Sequence, residues 1–321
     1  MSDFVLVPGG AGFLGSHLCD RLVAAGRDVL ALDNLSSGDQ RHVAHLMGRA
    51  HFRLLRHDIT QPLPREAFGA AWMFNMACPA SPPLYQARPV QTTLASVLGL
   101  WHLLEQARLC HARLMQASTS EVYGDPEVHP QAETYVGHVN PIGLRSCYDE
   151  GKRCGEAMCF AYHRQYGVAV RVARIFNSYG PRLRPGDGRV VSNFIVQALT
   201  GRPLTVHGHG QQTRSFCYVD DTVDGLMRLM ESDAEGPLNI GSAQEHTVLE
   251  LAETVLRLTG SRSHIEHRPM PEDDPRRRRP DLARTTATLS WQPRVSLEDG
   301  LRETISYFRR ELAESRLAVP A

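Results

Sequence analysis

The sequence lacks an excess of either charge. In its 321 residues, 35 Lys and Arg balance 35 Asp and Glu, so no basic surface for a polyanion such as nucleic acid is expected. The opening run Phe4-Val5-Leu6-Val7 has no basic segment before it and falls far short of the roughly 18 apolar residues of a membrane span. Neither export nor a membrane partner is therefore expected. Cysteine supplies no disulfide framework: Cys19, Cys78, Cys110, Cys147, Cys154, Cys159 and Cys217 are odd in number, scattered, and include no Cys-x-x-Cys pair. That is the usage of a reduced, cytoplasmic protein. Repeats and low-complexity tracts are also missing. What is present is 42% hydrophobic content, enough to fill a sizeable core and to exclude disorder.

Short apolar runs alternate with longer helical patterns in the first half, the mark of βαβ units and a parallel sheet covered on both faces. Strands are expected at Phe4–Val7, Asp28–Leu32, His51–Leu55, Trp72–Met76, Arg113–Ala117 and Val168–Arg174. Helices are expected from the glycine-rich turn to about Ala25, and over Thr92–Leu109 and Cys147–Tyr166. After Asn177 the pattern loosens into a Pro/Gly loop, then helix signals at Val191–Leu199 and Asp221–Met230 and a last amphipathic segment at Leu297–Leu312. The expected division is 1–177 for the larger domain, with 213–240 returning to it, and 178–321 for a smaller substrate-binding lobe.

Gly9-Gly10-Ala11-Gly12-Phe13-Leu14-Gly15 follows the first strand and opens a helix. A tight turn, close approach to a pyrophosphate and close helix packing each favour a residue without Cβ, and the helix N-terminus offers its N–H groups to the anion. The fold class is thus α/β, a Rossmann-type doubly wound parallel sheet with a smaller C-terminal lobe. At the end of the second strand stands Asp33, followed by Asn34, Ser37 and Gly38. A carboxylate there accepts from ribose hydroxyls and repels a 2′-phosphate, so the expected cofactor is NAD. Asp58 and Ile59, after the third strand, would flank the adenine.

Tyr148 and Lys152 are four apart in a helical stretch, one turn apart on one face. A free phenol has a pKa of about 10, too high for a base near neutrality. A neighbouring ammonium, and the nicotinamide cation, would stabilise phenolate. Thr119, at a strand's carboxyl end, can share a hydrogen bond with the same substrate hydroxyl.

Longer runs narrow the reading. They are Cys78-Pro79-Ala80-Ser81-Pro82-Pro83, Ser118 through Pro126, Gly137 through Gly143 leading into Cys147-Tyr148-Asp149-Glu150-Gly151-Lys152-Arg153, and Arg174-Ile175-Phe176-Asn177. Asp187 through Phe194, Gln212-Thr213-Arg214, and Asp273-Asp274-Pro275 with Arg278 and Pro280-Asp281 complete the set. With these the sequence resembles the UDP-glucuronate decarboxylases (UDP-xylose synthases) among the extended short-chain dehydrogenase/reductases. The resemblance implies a redox-neutral reaction. Tyr148 would take the proton of the sugar C4 hydroxyl as NAD⁺ takes the hydride, and the 4-keto-hexuronate would lose CO₂ because the ketone accepts the electron pair. Protonation at C5 and return of the hydride would give UDP-xylose.

By the same resemblance Glu121 and Arg214 join Thr119, Tyr148 and Lys152 as catalytic residues. Phe13, Leu14, Met76, Cys78, Ala117 and Arg189 would add cofactor contacts to those of Gly9, Gly12 and the residues after the second and third strands. The UDP-sugar would meet Pro83, Tyr85, Ser120, Glu121, Tyr162, Asn177, Asn193, Arg214 and Arg278, with Arg276–Arg279 as a local diphosphate clamp or a solvated loop. A homodimer through a four-helix bundle of the Trp101 helix and Cys147–Tyr166 is also implied. His207-x-His209 has no suitably spaced third ligand, so no metal is expected.

Pro8, Asn75, Ser96 and His102 depart from the family pattern, where Thr, His and polar Lys or Asn residues are usual. Their weaker hold on the 4-keto intermediate would let some UDP-4-keto-pentose escape and leave NADH behind. A UDP-sugar 4-epimerase, a 4,6-dehydratase and a nonenzymatic NAD-binding protein are the competing readings.

Overall fold

The computed structural model describes residues 4–270 and 277–317. The chain runs β1 (Val5–Pro8), α1 (Phe13–Ala24), β2 (Val29–Asp33), β3 (Phe52–Arg56), β4 (Trp72–Asn75), α2 (Pro82–Ala87), α3 (Pro89–Leu94) and α4 (Leu100–Cys110). Next come β5 (Arg113–Thr119), α5 (Ser146–Tyr166), β6 (Ala169–Ile175), β7 (Ser178–Tyr179), α6 (Val190–Leu199), β8 (Leu204–His207), β9 (Thr213–Ser215) and β10 (Cys217–Tyr218). The remainder is α7 (Val219–Glu231), β11 (Leu238–Ile240), β12 (Glu245–Thr247), α8 (Val248–Thr259), β13 (Ile265–Arg268), β14 (Arg277–Arg278), α9 (Ala283–Leu289) and α10 (Leu297–Leu317).

Seven strands form one sheet in the order β11-β6-β5-β4-β1-β2-β3, every pair parallel. The doubly wound reading holds, and the six expected strands stand within two residues of their expected ends. The seventh, β11, was not expected. Its three residues follow Gly236-Pro237 and are too short to carry a period of their own.

Residues alternate between the faces of the sheet, and each face has its own core. Val5, Val7, Val29, Ala31 and Phe74 pack with Leu18 and Leu22 of α1 and Leu226 and Leu229 of α7. Leu6, Leu30, Leu32, Met73 and Leu114 pack with Leu100, Leu103 and Leu104 of α4 and Cys159 of α5. The expected helix over Thr92–Leu109 is divided: α3 starts on Pro89, and a π turn at Ala95–Gly99 carries it into α4. Small residues let this turn sit tightly, since a Cβ on Gly99 would lie 2.4 Å from Ile59 Cδ1 and one on Gly151 2.9 Å from Ser96 Cβ.

Strand order reverses between β1 and β4, so a crevice opens at the carboxyl ends beside them. Over it lies a small sheet, β12-β9-β14, whose register sets Arg278 beside Arg214. Asp273-Asp274-Pro275 and Arg276, named from the sequence, lie outside the described residues, as does the start of the N-terminal segment. Among the described residues, no helix is long and apolar enough to cross a membrane.

Candidate active site

The crevice is a cavity of about 550 Å³. Gly9, Gly12, Phe13, Leu14, Asp33, Asn34, Ser37, Asp58, Ile59, Met76, Cys78, Ala117, Tyr148, Lys152 and Arg189 line it together with Pro83, Tyr85, Ser120, Glu121, Asn177, Asn193, Arg214 and Arg278. Gly38 stands behind the wall. A Cβ there would lie 2.8 Å from Asp33 Oδ2, so its hydrogen makes room for the carboxylate.

Tyr162 is a correction. Fourteen residues after Tyr148 it lies about 21 Å further along the α5 axis, too far to share the cavity. Its hydroxyl donates to Glu105 Oε1 at 2.6 Å and its ring lies 5.4 Å from that of Tyr166. Tyr162→Phe should leave kcat/KM for the sugar nucleotide within about twofold in steady-state assays, as for ordinary surface substitutions.

At the nucleotide end, Gly9 has φ of +79°, and a Cβ would meet the Met76 carbonyl at 2.7 Å. Gly15 is tighter, its Cβ position 2.0 Å from the Gly9 oxygen. α1 has Gly12 at its N-cap and no side-chain cap, which leaves its first N–H groups for an anion. Asp33, buried, accepts N–H bonds from Ala11 at 3.0 Å and Leu35 at 2.8 Å. Burial raises its pKa against the pull of those two bonds. These features fit a dinucleotide with free ribose hydroxyls. Asp33→Asn keeps one acceptor and removes the charge, so the ratio of NADP to NAD affinity should rise at least tenfold in cofactor titrations; an unit charge pair near a surface is worth roughly 4 kcal/mol at 4 Å.

Thr119, Tyr148 and Lys152 are all buried at the carboxyl end of β5 and on α5. The Lys152 ammonium donates to the Ala117 carbonyl at 2.8 Å and lies 5.8 Å from the centre of the Tyr148 ring. The Tyr85 ring stacks on that of Tyr148 at 5.0 Å and 1°. Burial drives the Tyr148 phenol upward, the Cys78 thiol adds to this, and a hydrogen bond with Thr119 opposes it. The lowering expected from Lys152 is thus outweighed by burial in the protein alone.

The sugar end carries more charge than the sequence suggested. Glu121 is ion-paired with Arg145 at 2.5 Å and with Arg278. Burial would raise the Glu121 carboxyl, but Arg145 and Arg278 outweigh it and hold it well below the usual carboxylate range. Arg278, only 2% exposed, also donates to the Gly124 carbonyl at 2.8 Å. It is therefore a buried guanidinium aimed at Glu121 and no part of a solvated loop. Arg214 donates to the Thr213 carbonyl at 2.8 Å and faces the same space. Three buried polar atoms lining this cavity have no hydrogen-bond partner within the protein: Ser81 Oγ, Tyr85 Oη and Arg278 Nε.

Sequence reasoning missed Arg145 and Ser81. Arg145 stands three and four residues before Tyr148 and Asp149, a spacing that puts all three on one helical face. A compositional signal for Lys152 was also passed over: it is the only lysine in the chain, all 34 other cationic side chains being arginine. Among the departures, Asn75 donates to Gln116 Oε1 at 2.7 Å, Ser96 Oγ lies 3.3 Å from Cys78 Sγ, and His102 Nδ1 lies 2.9 Å from the Ile59 carbonyl. Pro8 ends β1, where its oxygen still accepts from Met76. Among the described residues, no group of three or more His, Cys, Asp or Glu could hold a metal ion.

The NAD dependent epimerase/dehydratase family matches residues 5–241. The chain belongs to this family. It is an NAD-dependent enzyme by that membership. UDP-glucuronic acid decarboxylase 1 of Danio rerio is 53% identical over 308 residues, 96% of this chain and 73% of the relative. UDP-glucuronic acid decarboxylase 5 of Arabidopsis thaliana is 50% identical over 309 residues, 96% of this chain and 90% of the relative. Among solved structures, a mutant UDP-glucuronic acid 4-epimerase from Bacillus cereus, in complex with UDP-4-deoxy-4-fluoro-glucuronic acid and NAD, superposes with a TM-score of 0.86 at 26% identity, covering 96% of this chain and 99% of the other.

Proposed function

We propose that the protein decarboxylates UDP-glucuronate through a UDP-4-keto-hexuronate to UDP-xylose. The observation that carries this reading is the cationic wall beside Tyr148, where Arg145, Arg214 and Arg278 converge near the single carboxylate Glu121. Guanidinium forks match a carboxylate in charge and shape, whereas the hydroxymethyl group of a neutral hexose gives them nothing to neutralise. A 4,6-dehydratase favours a pair of acids after Thr119; here Ser120 precedes Glu121, whose charge is already engaged by two arginines.

Tyr148 takes the C4 hydroxyl proton and Thr119 shares the bond to that oxygen. When bound, NAD supplies the acceptor and donor for the C4 hydride and, oxidised, a positive charge that favours phenolate. The Arg278 and Arg214 forks hold the hexuronate carboxylate until the C5–C6 bond breaks. Its electron pair passes to the C4 oxygen, where the O–H groups of Tyr148 and Thr119 stabilise the enolate. The unpartnered Ser81 and Tyr85 hydroxyls hold sugar oxygens, and Asn177, Asn193 and the arginines carry the nucleotide end. The residues 178–321 then act as the substrate lobe and 1–177, with 213–240, as the cofactor domain. Ser96 and His102, each spent on a neighbour, leave the intermediate less firmly held, so a fraction escapes as UDP-4-keto-pentose.

Leu94, Trp101, Leu109 and Tyr166 are exposed on α3, α4 and α5. This apolar face supports a four-helix homodimer. The seven cysteines are free thiols, which favours the reducing cytoplasm.

Incubation with UDP-glucuronate and NAD⁺, followed by mass spectrometry of the sugar nucleotides, tests the activity. Loss of CO₂ supports the decarboxylase; a new hexuronate isomer of unchanged mass would replace it with an epimerase.

A further inference from the structure

Asp149 follows Tyr148 on α5, is buried, and does not line the cavity. Its Oδ1 has no hydrogen-bond partner, and its Oδ2 lies 3.9 Å from Arg145 Nε. The same Arg145 holds Glu121 through its terminal nitrogen at 2.5 Å. One guanidinium thus spans the Glu121 carboxylate, which lines the cavity, and a second carboxyl behind it. We infer that Asp149 is a proton store, acting through Glu121, that supplies the proton taken up at C5 when CO₂ leaves. The inference rests on the decarboxylase reading.

Charge balance around Asp149 supports this role. Cations facing it are Arg145 at the start of its own helix and Arg278 from β14; anions are Glu121 from the turn after β5 and Glu150 beside it. From α2 the facing group is Tyr85, a buried neutral phenol. α3 presents no titratable side chain. Burial, together with the Glu121 charge, raises the Asp149 carboxyl against the pull of the two arginines, so it holds its proton near neutrality. An incoming hexuronate carboxylate adds a further anion to this space and strengthens that hold. Loss of CO₂ then removes the added charge from the carboxylate position and leaves it on the C4 enolate.

The step balances as follows. The C5–C6 bond breaks, CO₂ departs, and the electron pair forms the C4–C5 enolate. That pair then takes a proton at C5, restoring the C4 ketone. Glu121 delivers this proton and recovers it from Asp149, which ends as the anion paired with Arg145 and regains one proton from water before the next turnover. Neither oxidant nor reductant is consumed.

The test compares wild-type protein with Asp149→Asn and Asp149→Glu, each with NAD⁺ and UDP-glucuronate. NADH absorbance in the first turnover reports C4 oxidation, and UDP-xylose formation from pH 6 to pH 10 reports passage through C5 protonation. Wild type should show UDP-xylose formation falling at alkaline pH as Asp149 loses its proton. Asp149→Asn should slow UDP-xylose formation at least tenfold, slow NADH appearance less than threefold, and lack the alkaline limb. Asp149→Glu, still an acid, should restore the limb. Equal loss of both rates in Asn, or an alkaline limb in Asn, or none in Glu, would overturn the proposal. If wild type releases no CO₂ at all, the decarboxylase reading fails first and takes this one with it.

Discussion

Tyr148→Phe should reduce C4 oxidation on the order of 10³-fold, within the range that a positioned general base contributes. The ring stays where it is, because its position comes from stacking on Tyr85 at 5.0 Å and from burial on α5. What disappears is the one hydroxyl that meets Thr119 and takes the substrate proton. Folding and cofactor affinity should therefore survive, with NAD titration and thermal unfolding close to wild type. Neither NADH nor CO₂ should form from UDP-glucuronate. CO₂ release at the wild-type rate would remove Tyr148 from the mechanism. The sign of the pH effect follows from the phenol: burial raises it, so wild-type oxidation should increase as pH rises toward its working pKa.

The parts of this site that were legible in the sequence are local. Gly9 to Gly15 and Asp33 act through one turn and one strand end, and Tyr148 and Lys152 through a single helical turn, so spacing alone places them. Lys152 was marked twice, by its distance from Tyr148 and by being the sole lysine. A compact ammonium on a flexible stem is not replaced by a guanidinium fork, which explains its survival in a chain that otherwise uses arginine. The charged wall is different in kind. Glu121, Arg145 and Arg278 come from a turn, a helix cap and a short strand, and only the β14–β9 register and the packing of the upper lobe on β5 bring them together. No local pattern encodes that meeting. Tyr162 failed for the converse reason: a resemblance carried it into the site, while helix rise placed it about four turns away.

Arg278→Met should have the second large effect, on both stability and turnover. The variant keeps much of the stem's length and removes the guanidinium, leaving Glu121 with Arg145 and the more distant Arg214, and the Gly124 carbonyl without its donor. Removing one partner of a buried ion pair costs about 3–5 kcal/mol when the other charge is left alone. Because Arg145 remains on Glu121, about 2–3 kcal/mol is the better expectation, a fall in Tm of roughly 5–10 °C for a chain of this size. The sign against pH also follows. Glu121 is depressed in the folded protein, so it contributes stability above its unfolded value and loses it as pH falls toward the folded one. With one arginine gone the depression shrinks, so the gap in Tm between wild type and variant should be wide at pH 7 and narrow toward pH 3. In turnover, the hexuronate carboxylate loses its most deeply buried fork, so CO₂ release should fall on the order of 10²-fold, the scale of losing one preorganised charge-stabilising donor. Thermal melts at both pH values, with CO₂ release at pH 7, check this. A variant as stable as wild type that decarboxylates normally would show that the arginine serves neither the carboxylate nor the fold.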